Sequence, residues 1–386
     1  MSNWKKSMAM IVMLFFVMYA VLPQAILARS ENVKESVNQG FLESLNNSTV
    51  ILHTNDMHGR VLYGQNKSLG ITAVVALKIK LEQAGAQVIT LDAGDTFRGT
   101  TITNNDQGAT MVQLMNIIGY DAMVCGNHDY EYGYEHLVEL KKEASFSILG
   151  ANVIVRNTNQ NLLASHIILE RNGIKYGIFG LVTEATMLLN QEEHVDGILL
   201  MDPIECAKIE VSYLKAAGAD IIVALTHIGM KAKDEINTMD LLKEVEGIDI
   251  VIDGHSHSTL AECQAANPQP KVTFTSTGSY LNSIGIVVIQ QDGTRTPYNL
   301  TEKELNALGI DPRNEAFGIE DPRITNVQQL LAKRVLSLPT SYQVRIGPTT
   351  MFLSFLAPNE ELSSPAMTQA ITEGDILLPK LSFKQK

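Results

Sequence analysis

Val50-Ile51-Leu52-His53-Thr54-Asn55-Asp56-Met57-His58-Gly59-Arg60 is the stretch that decides the fold of this 386-residue chain. Its apolar, β-branched opening predicts a buried strand. His53, Asp56 and His58 then fall within six positions. A strand ending in Asp-x-His offers a carboxylate oxygen and an imidazole nitrogen, the donors that first-row divalent metals take. Residues two apart face one side of a strand, and on a strand-end loop they can converge on one ion. A single such pair does not separate a metal site from a solvated loop. Recurrence along the chain does.

Strand-like runs lie at 50–53, 88–91, 122–125, 148–151, 174–181, 221–225 and 248–252. Helix-like segments separate many of them, at 71–84, 109–118, 134–144 and 204–217. Alternating strands and helices at this spacing predict an α/β fold with helices covering buried sheets. Two later runs, 272–276 and 283–290, have no helix between them and read as a terminal hairpin-like pair. There is no internal repeat and no low-complexity tract.

The residues just past each run carry the chemistry. After Leu91 comes Asp92-Ala93-Gly94-Asp95; after Cys125, Gly126-Asn127-His128-Asp129; after Leu225, Thr226-His227-Ile228-Gly229; after Ile252, Asp253-Gly254-His255-Ser256-His257. In open α/β sheets ligands bind at the carboxyl ends of strands. Asp and Gly after a strand are also ordinary turn chemistry, and Asp92 reads that way, with Asp253 open to the same reading. Five strand ends that together hold five of the nine histidines are not explained by turns. About seven metal-capable side chains on one edge exceed the four to six ligands of one ion, and with one carboxylate shared they supply two. Two ions ~3.5–4 Å apart suit displacement at phosphorus, where they generate a bridging hydroxide, orient the ester and neutralise charge.

His53-Thr-Asn-Asp-Met-His-Gly-Arg60, Leu91-Asp-Ala-Gly-Asp-Thr-Phe-Arg-Gly99, Gly126-Asn-His-Asp-Tyr-Glu-Tyr-Gly133, Thr226-His-Ile-Gly229 and Gly254-His-Ser-His257, in that order, resemble the calcineurin-like metallophosphoesterases. Within them they resemble the 5′-nucleotidase family, which also holds 2′,3′-cyclic-nucleotide phosphodiesterases and UDP-sugar hydrolases. The resemblance covers roughly residues 48–290. It implies a four-layer α/β/β/α sandwich. It also implies that Asp56, His58 and His257 hold one metal, that Asn127, His227 and His255 hold a second, and that Asp95 bridges them. His128 is implied to contact the phosphoryl group and stabilise the transition state without ligating a metal. The family often has Asp where this chain has Glu131, to orient that histidine. A Glu still accepts from an imidazole N–H, although its longer arm changes the reach. Asp129 stands where Glu is common, a change expected to be tolerated.

The ends of the chain read differently. Lys5 and Lys6 precede an apolar run from Met8 to Leu22, then Pro23, Ala25 and Ala28: a signal peptide over residues 1–28, with an uncleaved N-terminal anchor as the alternative. The run is short of the ~20 apolar residues a span needs, and once the signal is removed no stable membrane span is expected. Residues 29–47 read as a loose lead-in. The formal charge of −12 becomes about −14 without Lys5 and Lys6, which argues against a nucleic-acid polymer as partner. It does not exclude a phosphoester, since bound cations invert local charge. Cys125, Cys206 and Cys263 show no Cys-x-x-Cys spacing and receive no catalytic role.

The resulting organisation is a catalytic domain over 48–298 and a shortened, loosely packed remnant of the family's nucleotide-binding domain over 299–386. The Asn-Gly-Gly-[Gly/Ile]-Arg-like segment and aromatic stackers of that domain have no clear counterpart. Ile324–Leu338 is expected to be one amphipathic helix, and Ala370–Leu378 resembles the strand region that comes after the missing segment. The expected protein is an exported, metal-dependent phosphoric ester hydrolase of nucleotides, using two divalent ions among which Zn, Mn, Mg and Fe are not distinguished. The alternatives are the same chemistry on other small phosphoesters, or a catalytically impaired metal-binding remnant. A dinucleotide oxidoreductase is excluded, because no Gly-x-Gly-x-x-Gly comes after the first strand.

Overall fold

The computed structural model describes residues 40–230, 236–314 and 317–338. The signal-peptide reading over 1–28 and the strand-like 370–378 lie outside the described residues. Two sheets form the centre. The first runs β13 (Arg295–Leu300), β12 (Ile284–Ile289), β1 (Thr49–Thr54), β2 (Gln87–Asp92), β3 (Ala122–Val124), β4 (Ser147–Leu149). The second runs β11 (Thr273–Thr275), β10 (Ile250–Asp253), β9 (Ile221–His227), β7 (Ile174–Val182), β6 (His166–Arg171). A small antiparallel pair joins β5 (Val153–Val155) and β8 (Ile198–Leu200).

Strands β1 to β4 are mutually parallel, as are β7, β9, β10 and β11, so their carboxyl ends gather at one edge. The parallel strands are buried on both faces, which is why they read as unbroken apolar runs. Alternation still divides them. Val223, Leu225, Ile250 and Ile252 face the first sheet's core, while Ile222, Ala224 and Val251 pack in a second cluster with Ala207, Val211 and Leu214. Those last three lie on α4 (Pro203–Ala216), which with α5 (Thr238–Glu244) covers the second sheet. Helices α1 (Ile71–Gln83), α2 (Ala109–Ile118) and α3 (Tyr134–Glu143) serve the first sheet. The layers are therefore α/β/β/α, as expected. Among the described residues no helix is long and apolar enough to cross a membrane.

Four expectations need correction. The runs at 272–276 and 283–290 are not a pair: β11 adds in parallel to β10, while β12 crosses to the first sheet and lies antiparallel to β1. The true hairpin partner of β12 is β13, closed by Asp292-Gly293. Its Pro297, its position at the sheet edge and its part-exposed residues hide it from an apolar-run search. The boundary at 298/299 thus cuts through a strand. Beyond it, α6 (Pro322–Ser337) is not loosely packed, since Ile324, Val327, Leu331 and Ala332 are buried against α1 and α2. Finally, the end of the lead-in is held: Leu45 is buried and Phe41 meets Tyr298 edge-on.

Candidate metal centre

The carboxyl ends of β1, β2, β3, β9 and β10 present the predicted residues together. The loop after β1 is stitched to the loop after β2, with Asp56 N–H donating to the Gly94 carbonyl at 2.8 Å and His58 N–H to the Asp95 carbonyl at 2.9 Å. Asp56, His58 and His257 form one triad and Asp95, His227 and His255 another, ligand atoms in each lying within 4.8 Å of one another. His58 Nε2 and His257 Nε2 are 3.2 Å apart, and Asp56 Oδ1 is 3.4 Å from His257 Nε2. Asp95 Oδ2 is 3.2 Å from His227 Nε2 and 3.9 Å from His58 Nε2, so one carboxylate oxygen faces both triads. Five of these residues, Asp56, His58, Asp95, His255 and His257, have positive φ between 45° and 70°. Left-handed non-glycine backbone concentrates at functional sites because surrounding contacts must hold it.

His227 shows how a donor is prepared. Its Nδ1 donates to the Ala93 carbonyl at 2.6 Å, which fixes the tautomer and turns Nε2 into the site. That Nε2 is buried beside Asp95 Oδ2 without hydrogen-bond geometry. Asn127 Oδ1 is likewise buried without a hydrogen-bond partner. Two buried, unpartnered donor atoms after strands of one edge fit a cation and are costly otherwise. Burial pushes the His58 and His255 imidazoles down to about 4, leaving neutral rings with free lone pairs. Burial also pushes His227 down, but the adjacent Asp95 charge outweighs it and raises the ring to about 10. Burial raises Asp95 in turn, and His227, His128 and His58 more than reverse this, holding it well below the usual carboxylate range. A divalent cation held there would take the place of a proton on His227 Nε2.

His128 stands at the mouth, its side chain 41% exposed. It also comes within reach of His58 and Asp95. Its backbone N–H donates to Asp95 Oδ1 at 2.8 Å, and its Nδ1 meets Glu131 Oε1, so the longer arm of Glu131 does reach. The second oxygen of Glu131 pairs with Arg98, a partner that sequence reading did not anticipate. Gly126 is required by close approach: a Cβ there would lie 2.2 Å from Asp95 Oδ1.

His53 does not join the site. It is fully buried in β1 against Gly285 of β12, and burial pushes its ring down to about 3. Asp92 and Asp253 are structural, as the turn reading has it. Asp92 accepts from Thr54 and Thr96 hydroxyls and Gly94 N–H, and Asp253 accepts from Thr226, Thr238, Ile228 and Gly229. Sequence reading missed the role of Asp129, whose two buried oxygens accept four backbone N–H groups around the Asp95 loop.

Residues 49–259 match the calcineurin-like phosphoesterase family, and the chain belongs to it. Several 5′-nucleotidases are among its curated relatives: the Vibrio cholerae protein is 31% identical over 253 residues, spanning 62% of this chain and 46% of that protein. The human 5′-nucleotidase is 31% identical over 264 residues, spanning 64% of this chain and 43% of that one. The chain therefore covers under half the length of these relatives. A 5′-nucleotidase precursor from Thermus thermophilus shares the fold with a TM-score of 0.62 at 23% identity, over 77% of this chain and 61% of that one. The calcineurin-like phosphoesterase YfkN from Bacillus subtilis does so at 0.59 and 22%, over 75% of this chain and 98% of that one.

Proposed function

We propose that the chain is an exported, two-metal phosphoesterase that hydrolyses nucleotide phosphoesters. The observation that carries this reading is the convergence of six residues from four strand ends into two triads, both faced by Asp95 Oδ2, with a buried, unpartnered Asn127 Oδ1 after a fifth strand. Asp56, His58 and His257 would hold one divalent ion, Asn127, His227 and His255 the other, with Asp95 between. Bound ions would polarise the phosphoryl group, offset its charge and acidify water for attack at phosphorus. His128, half-exposed and held by Glu131, would contact the phosphoryl oxygens and stabilise charge as the ester bond breaks. The nucleotide class rests on likeness to proteins named 5′-nucleotidases, and export on the basic and apolar pattern of residues 1–28.

The deciding assay is phosphate release from AMP by the purified full chain with manganese or zinc, beside an aryl phosphate. Expected is AMP hydrolysis that EDTA stops and added divalent metal restores. Turnover of the aryl ester alone would discard the nucleotide specificity and keep the chemistry. Two bound ions with no turnover of either ester would mean a metal-binding remnant, and turnover that resists EDTA would overturn the metal reading.

His128→Ala should lower turnover by about 10²–10³-fold, the range of a positioned acid–base or electrostatic group. Metal content per chain should stay at the wild-type level. Loss of an ion in this variant, measured by atomic absorption, would make His128 a ligand and reassign its role.

A further inference from the structure

The Asp56–His58–His257 triad has a neighbour that no motif marks. Tyr280 lies in the loop between β11 and β12. Its ring centre is 5.3 Å from that of His58 and 5.5 Å from that of His257, and the two imidazoles are 5.3 Å apart. The three rings form a nearly equilateral triangle at mutual tilts of 51°, 71° and 71°. Edge-on and tilted packing of this kind is directional, so it restrains ring orientation as well as position.

The backbone of Tyr280 is tied to the same triad. Its N–H donates to the Asp56 carbonyl at 2.7 Å. Tyr280 and Leu281 have φ of 61° and 55°, the left-handed region that Asp56, His58 and His257 also occupy. A bulky residue stays there only where its surroundings impose it. Leu281 is buried, and its carbonyl accepts the Leu69 N–H at 2.9 Å, which fixes the turn from the other side. Arg60 closes the arrangement: its guanidinium lies 4.2 Å from the centre of the Tyr280 ring while Nη1 donates to the His58 carbonyl at 2.7 Å.

Ligand histidines are ordinarily oriented by a hydrogen bond at their second ring nitrogen. His227 has one, to Ala93. Among the described residues neither His58 nor His257 shows such a partner at Nδ1; their polar contacts use Nε2. Ring packing on Tyr280 supplies the missing restraint. We propose that Tyr280, held in place by Arg60, is the positioning residue that orients His58 and His257 for the ion they share with Asp56. The inference rests on the two-ion reading above and adds a residue that acts on one ion and not the other.

Calorimetric titration of the metal-stripped full chain with Co²⁺, accompanied by its visible absorption, tests this. The wild type should take up two ions. Tyr280→Leu keeps an apolar side chain of a type that already occupies left-handed backbone at Leu281, but removes the ring. It should bind one ion with wild-type affinity and the other about 10–100-fold more weakly, the loss typical of removing support from a metal ligand. Tyr280→Phe retains the ring and should behave as wild type. Should Tyr280→Leu fail to fold, Arg60→Ala carries the test and should weaken the same single ion. Two ions bound by Tyr280→Leu with unchanged affinities, equal weakening of both, or a Phe variant as weak as Leu would each overturn the proposal. A wild-type chain that binds fewer than two ions would instead overturn the two-ion reading itself, and the proposal with it.

Discussion

Asp95→Asn should lower turnover on AMP by about three orders of magnitude and leave the chain with fewer than two tightly bound ions. The carboxylate has two separate tasks. Oδ1 accepts the His128 N–H at 2.8 Å, and Oδ2 lies 3.2 Å from His227 Nε2 and 3.9 Å from His58 Nε2. An amide has one oxygen for these two places. If the oxygen faces His128, an NH₂ group points at both ligand triads and repels cations. If it faces the triads, the NH₂ opposes the His128 N–H, and the charge that offsets two cations is still gone. Neither orientation rescues the site, which is why the effect should stand at the upper end of the range expected for losing His128. Steady-state kinetics with atomic absorption on the same sample decide it. A variant that keeps two ions and turns over within about tenfold of wild type would show that Asp95 is not shared.

The parts of this site that sequence made legible are those whose chemistry is written in the residue type. Asp56, His58, Asp95, Asn127, His227, His255 and His257 each come after an apolar run, and a buried parallel strand must end where its polar neighbours begin. The parts that stayed hidden depend on conformation. Nothing in Ser279-Tyr280-Leu281-Asn282 announces two left-handed residues in succession, since Tyr and Leu disfavour that backbone and only tertiary contacts impose it. Nothing in the sequence pairs Arg98 with Glu131, because only the fold brings the two together. Strand β6 was missed because it is an edge strand with half-exposed residues, so it lacks the apolar run that betrayed its neighbours. The β11–β12 misreading has a related cause. Adjacency in sequence suggests a hairpin, but a two-sheet sandwich lets the chain change sheets between consecutive strands.

Asp129→Asn should destabilise the metal-free protein by about 4 kcal/mol, a loss of roughly 10 °C in melting temperature for a domain of this size. Asp129 is buried, and its Oδ1 accepts the N–H groups of Thr96 and Phe97, each at 2.9 Å. Its Oδ2 accepts those of Asp95 at 2.9 Å and Gly126 at 2.8 Å. Burial and the neighbouring Asp95 push this carboxyl up to about 6, so at neutral pH it remains the acceptor-only carboxylate that four donors require. Asparagine keeps one acceptor oxygen and sets an NH₂ against the other two N–H groups, leaving them buried and unpaired at roughly 1–3 kcal/mol each. Sequence comparison with the family made Asp129 look like a tolerated replacement for Glu; in the fold its short arm is what joins the loop after β2 to the loop after β3. Asp95 and Asn127 sit on those two loops, so weaker metal binding should accompany the lower melting temperature. Measuring the melt in EDTA separates the two effects, because with no ion present any shift belongs to the loops alone. A metal-free variant that melts within about 2 °C of wild type would show that the four N–H groups find other partners, and that Asp129 does not hold the site together.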